Sequence, residues 1–126
     1  MEGQVKIALI GLGKVGTTLL KKLIPYENRG IAIVAVLEKN STSAGLELAK
    51  QKGIPVYLDE REIIDMGDKV DIIFNLTGLT SVERSMKLGQ VKKGNPHTVI
   101  VSRTVAELMW RLISEEPLPE HTKIAN

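Results

Sequence analysis

Apolar residues in this chain follow two alternating rhythms. Short, nearly continuous runs appear at Val5–Ile10, Ile31–Leu37, Ile54–Leu58, Val70–Leu76 and Thr98–Val101. Between them lie stretches whose apolar residues recur every three or four positions, as in Val15, Leu19, Leu20, Leu23 and Ile24. The first rhythm predicts strands buried on both faces, and the second predicts amphipathic helices. Punctuation agrees with this reading. Pro25 ends the first helix (Lys14 to Ile24), since it lacks an N–H and disfavours helical geometry in the residue before it, and Tyr26 to Gly30 reads as a polar connection. Ser41 or Ser43 caps a second helix running to about Lys52, which Gly53 stops. The proline in Ile54–Leu58 demotes that run to an edge strand. Asp59 caps a brief helix with Ile63, Ile64 and Met66, closed by Gly67.

A further helix begins at Thr80 or Ser81, with Val82, Met86 and Leu88 to bury and Gly89 or Gly94 near its end. Thr104 caps the last helix, which runs through Ile113. There Val105, Leu108, Met109, Leu112 and Ile113 are expected on one face with Trp110 outside it, poised to dock a second subunit or domain or to lie along the protein's own surface. Five strands alternating with helices predict an α/β fold, a three-layer Rossmann-type parallel sheet of order 3-2-1-4-5 with helices on both faces. One domain is expected over residues 1–115. Residues 116–126, with Pro117 and Pro119, read as a tail or linker.

The first strand runs into Gly11–Leu12–Gly13–Lys14–Val15–Gly16, a G-x-G-x-x-G turn opening the first helix. Gly11 permits the sharp turn, Gly13 leaves bare main chain for a pyrophosphate, and Gly16 lets the helix pack closely. Free amides and the dipole at that helix start face the phosphates. Glu38 ends the second strand 22 residues beyond Gly16, where a carboxylate meets the hydroxyls of an adenosine ribose. Taken alone, Glu38 would be a solvated strand-end residue. Together with the glycines it points to a dinucleotide. A carboxylate repels the 2′-phosphate of NADP and accepts from the free 2′-hydroxyl of NAD, so NAD is favoured. Lys39 softens that preference, and Asn40 and Ser41 can also bond a phosphate, so NADP stays open.

Ligands in such sheets sit beyond the carboxyl ends of the strands, in the crevice between strands 1 and 4. Asn75–Leu76–Thr77–Gly78 and Ser102–Arg103 fall on that edge. Asn75 or Thr77 can bond a nicotinamide ribose or carboxamide, or merely organise a turn. Arg103 can meet a substrate carboxylate or a cofactor phosphate, or stand solvated beside a helix cap. His97 falls on the opposite edge and His121 in the tail, so neither is expected to be catalytic.

Composition narrows the rest. Aromatic residues are only 3%, so Val, Ile, Leu and Ala build the core, as suits a doubly covered parallel sheet. With 43% hydrophobic and 25% charged residues among 126, one soluble domain is expected. A net charge of +2 points to no nucleic-acid surface. Absence of cysteine excludes disulfides and thiolate metal sites. No apolar run is long enough to span a membrane and no signal-peptide core is visible, making the cytoplasm the default location.

The segments Ile7–Gly16, Val36–Glu38 and Asp71–Thr77 together resemble the nucleotide-binding domain of homoserine dehydrogenases, and are also similar to the aspartate dehydrogenase and dihydrodipicolinate reductase group. The resemblance implies pyridine-nucleotide contacts at Gly11, Gly13 and Gly16 and near Thr77. It also implies Asn-Lys after the fifth strand, where this chain has Ser102–Arg103, and a further substrate and dimerisation domain. The expected function is therefore an NAD(P)-binding domain of an oxidoreductase that is not catalytic alone, partnered by a second domain or subunit, a homodimer being one form. An NAD(H)-sensing regulatory module and a domain for another adenosine nucleotide remain alternatives.

Overall fold

The computed structural model describes residues 3–117. Five strands, β1 (Val5–Ile10), β2 (Ile31–Leu37), β3 (Val56–Tyr57), β4 (Ile72–Asn75) and β5 (Val99–Ser102), form one sheet of order β3-β2-β1-β4-β5. All four pairings are parallel. The helices are α1 (Lys14–Leu23), α2 (Ala44–Gln51), α3 (Glu60–Ile64), α4 (Thr80–Lys93) and α5 (Arg103–Ile113). This is the Rossmann-type architecture expected of the alternating pattern. Among the described residues no helix is long and apolar enough to cross a membrane. The expected tail lies, apart from residues 116 and 117, outside the described residues.

Each face of the sheet has its own core. Ile7, Leu9, Val36 and Phe74 pack with Leu19, Leu20 and Leu23 of α1, Ala49 of α2, and Ala106 and Trp110 of α5. Ala8, Ile10, Ala35 and Ile73 pack on the other face with Ile63 and Ile64 of α3 and Met86 of α4. Burying each large aliphatic side chain contributes about 1.5–3 kcal/mol. Their concentration on β1, β2 and β4 makes the sheet centre the rigid base of the loops above it.

Several local expectations need correction. The segment after α1 is a 3-10 turn over Ile24–Arg29 that takes Pro25 in its first positions, where no N–H is required. It ends at Gly30 in the left-handed region. β3 is only two residues long, as its preceding proline and edge position dictate. Asp59 does cap α3, in a reciprocal capping box with Glu62. α4 starts without a side-chain cap and ends at Gly94 rather than Gly89, whose position lies against Ile64. Leu88 of α4 is exposed, not buried. α5 has Ser102, not Thr104, at its N-cap position.

Trp110 reverses its expected place. It is only 4% exposed and belongs to the core with α1, whereas Leu108 and Leu112 stand 57% and 76% exposed. At 100° per residue the apolar residues of α5 cover an arc of about 200°, too wide to say which half turns inward. The inward half is Ala106 and Trp110, flanked by Met109 and Ile113. The indole finds its polar partner as well, donating from Nε1 to the Glu116 carbonyl at 2.6 Å. A docking role for the Trp110 ring is thereby removed.

At the N-terminal edge of the sheet, Asp71 ties β1 to β4 and β5. Its Oδ2 accepts from the Lys6 amide at 2.8 Å, and its Oδ1 lies 2.6 Å from half-exposed His97 Nε2. The His97 hydrogen bond, helped by the Lys6 amide, holds the Asp71 carboxyl below its ordinary value. A depressed carboxylate pKa adds stability that is complete above the unfolded value of about 3.9 and is lost as pH falls through the folded one. Asp71→Asn should therefore flatten the acid limb of a stability-versus-pH curve from urea denaturation. An acid limb as steep as the parent's would show that Asp71 is not its source.

Candidate functional site

The β1–α1 turn is shaped by its three glycines in three different ways. Gly11 has φ +96°, and a Cβ there would come within 3.1 Å of Thr77 Cγ2. A Cβ on Gly16 would collide with the Gly11 carbonyl oxygen, because α1 starts directly against the turn it leaves. A Cβ on Gly13 would meet nothing within 4 Å. Two glycines are thus demanded by the protein's own packing, and the middle one opens outward. α1 has no side-chain cap and no acidic residue in its first turn. Its leading amides and their partial positive charge are left for an anion.

Glu38 closes the other side of this loop. Its Oε1 accepts from the Leu12 amide at 2.6 Å, and its Oε2 accepts from the Asn40 amide at 2.9 Å. One carboxylate therefore bridges the glycine turn and the loop after β2. The Leu12 carbonyl in turn accepts from Ser43 Oγ at 2.6 Å and from Thr17 Oγ1 at 3.0 Å. α2 approaches closely enough that a Cβ on Gly45 would stand 2.5 Å from Thr17 Oγ1. These contacts bound a cleft of about 480 Å³ lined by Gly13, Lys14, Thr18, Glu38, Asn40 and Ser43 among others.

Other expected site residues divide by what their atoms do. Leu12, Val15 and Leu76 bury their side chains in the core, and the main chain of Leu12 is already taken up by Glu38, Thr17 and Ser43. Lys14 lines the cleft, whereas Lys39 is exposed outside its wall. Asn75 is buried, lines a cleft beyond β4, and holds the turn after β4 with three of the four hydrogen bonds its amide can make. Its Oδ1 accepts from the Thr77 amide and hydroxyl at 3.2 and 2.6 Å, and its Nδ2 donates to the Leu79 carbonyl at 3.0 Å. Thr77 Oγ1 also accepts from the Leu79 amide at 3.1 Å. Both residues thus organise the turn, and Asn75 also lines the cleft described next.

Gly78 and Ser102 line a second cleft of about 150 Å³, beyond β4 and β5. Both clefts open at the carboxyl edge, on either side of the glycine turn. Thr17 and Gly45 were not among the expected site residues, and Ser43 was expected only as the cap of α2. A hydroxyl on the first turn of α1 was the one visible signal, since it can reach back to the turn it follows.

Relatives by sequence include the acetaldehyde dehydrogenase of Chloroflexus aurantiacus, 35% identical over 86 residues, which are 68% of this chain and 28% of that protein. Acetaldehyde dehydrogenase of Bacillus cereus is 37% identical over 75 residues, 59% of this chain and 24% of that one. The chain thus spans 28% or less of the length of these curated relatives. No family model matches it. Among solved structures, homoserine dehydrogenase of S. aureus superposes with a TM-score of 0.61 at 19% identity, covering 87% of this chain and 29% of that one. That of Thiobacillus denitrificans gives 0.55 at 22% identity, with 87% and 26% covered. The likeness to homoserine dehydrogenases is thus found in the fold. The relatedness in sequence runs to acetaldehyde dehydrogenases, which the motifs did not single out.

If Glu38 holds the glycine turn in place, Glu38→Ala should free the Leu12 amide and speed its hydrogen exchange at least tenfold, while amides in the centre of β4 keep their protection. Unchanged exchange at Leu12 would mean that the turn holds its shape without the carboxylate.

Proposed function

We propose that this chain binds a pyridine dinucleotide, NAD in preference to NADP, as the cofactor-binding part of a dehydrogenase-like oxidoreductase. The observation that carries the reading is the outward-facing Gly13 beside an uncapped helix start, with a strand-end carboxylate across the same cleft. The pyrophosphate would lie on the main chain at Gly13, against the leading amides of α1, with Lys14 as an added counter-charge. Glu38 spends one acceptor position per oxygen on main-chain amides, and a carboxylate has about four. It can thus take the ribose hydroxyls without releasing the loop, whereas a 2′-phosphate would face its negative charge.

A bound dinucleotide would give up a hydride from its nicotinamide ring when reduced, or take one up there when oxidised, and that ring would lie towards the second cleft. The residues lining that cleft include one carboxylate, Glu83, and one cation, Arg103. An arginine does not give up its proton near neutrality. Glu83 is the lining group best able to take a proton, and further groups of that kind are expected from another domain or subunit. The relatedness to acetaldehyde dehydrogenases supports placing that chemistry at the aldehyde level.

Calorimetric titration with NADH and NADPH tests the reading, with NADH expected to bind at least tenfold tighter. Gly13→Ala should weaken NADH binding tenfold or more at a stability cost under about 1 kcal/mol, since its methyl meets only open space. Gly16→Ala should instead cost about 2 kcal/mol of folding stability, because its methyl meets backbone that cannot yield. NADH binding that is absent, or indifferent to Gly13→Ala, would overturn the proposal.

A further inference from the structure

The second cleft contains a cation whose hydrogen bonding is incomplete. The Arg103 side chain is only 21% exposed, and its Nε stands 3.5 Å from Glu107 Oε1. Its Nη1 is buried without a partner, alone among the buried side-chain nitrogens and oxygens of the described residues. A guanidinium offers five N–H donors in a fixed fork and stays charged, so it is poorly suited to lie under cover half-satisfied. Arg103 lines the cleft of about 150 Å³ together with Thr80, Ser102 and Thr104. α4 and α5 both begin there, and neither carries a side-chain cap. Leading amides of two helices thus add to the charge of Arg103. Glu83, also on the wall, lies 3.8 Å from Lys87, which offsets part of its charge.

We propose that Arg103 receives the carboxylate of a small carboxylic acid in this cleft. The volume suits a ligand of a few heavy atoms. A planar fork pairs with a carboxylate through two parallel hydrogen bonds. Glu83 on the wall disfavours a phosphate dianion more than a monoanion, which decides between the two anions. Nη1 lies under cover, so a carboxylate in the cleft would meet it only after a turn of the guanidinium toward the opening. The proposal rests on the dinucleotide reading only for what lies next to the cleft, and names the substrate class that would meet the nicotinamide end.

The test is titration of the full chain with acetate and, separately, with inorganic phosphate, following the Arg103 Nε–H and the Thr80 and Thr104 amides by NMR. Acetate is expected to shift all three saturably. Arg103→Gln should raise its apparent Kd at least tenfold, and Arg103→Lys at least threefold. Acetate binding indifferent to Arg103→Gln, or phosphate binding tighter than acetate, would overturn the proposal. Should the variants fail to fold, an Arg103 Nε–H that acetate does not move in the parent chain does the same. Failure of NADH to bind while acetate still titrates Arg103 would leave this site standing and remove the dinucleotide.

Discussion

The geometry at the carboxyl edge depends on how closely α1 is set against the turn that precedes it. Gly16 lies on the Gly11 carbonyl with no room for a methyl group, and that contact fixes where the first helical turn points. Leu19, Leu20 and Leu23 then bury the same helix against β1 and its neighbours, so a local steric fit is held by a large apolar area. The turn has little freedom left. Glu38 and Ser43 bind its main chain from the side of β2, and Thr77 touches it from the side of β4.

This arrangement separates structural from receptive positions within six residues. Main-chain groups of Leu12 are consumed by the protein itself, donating to Glu38 and accepting from Thr17 and Ser43. One residue further on, Gly13 and the start of α1 are left open. A loop pinned in this way presents its free amides at fixed positions, so a ligand pays little for ordering them. Across β4 the balance differs. Asn75 and Thr77 bond within their own turn, and Arg103 keeps one buried nitrogen without a partner.

Strand order, the helix-bearing connections and the glycine turn were legible because each rests on a local rule. Apolar runs report double burial, and the glycine spacing reports a strand-turn-helix with a close approach. Glu38 was legible by its distance from the glycines, though not its bonds to Leu12 and Asn40, which join segments far apart in sequence. Leu88 and Trp110 were misjudged because apolar character says that a side chain gains from burial, and not whether a neighbour is there to cover it. On α5 the apolar arc exceeds what the sheet and α1 can cover. Trp110 took the covered half, and the leucines kept the other. Gly45 escaped notice because its reason for being glycine lies in Thr17, on another helix.

Trp110 is the sole tryptophan of the chain, and it sits where α5 meets the layer formed by α1 and the sheet, with Lys22 Nζ 6.0 Å from its ring centre. Its emission is therefore an intrinsic gauge of that interior seam and of nothing at the ligand edge. Loosening of the outer helix would redden the spectrum even while the strands stayed paired, giving a built-in optical probe that separates fraying of one layer from collapse of the whole.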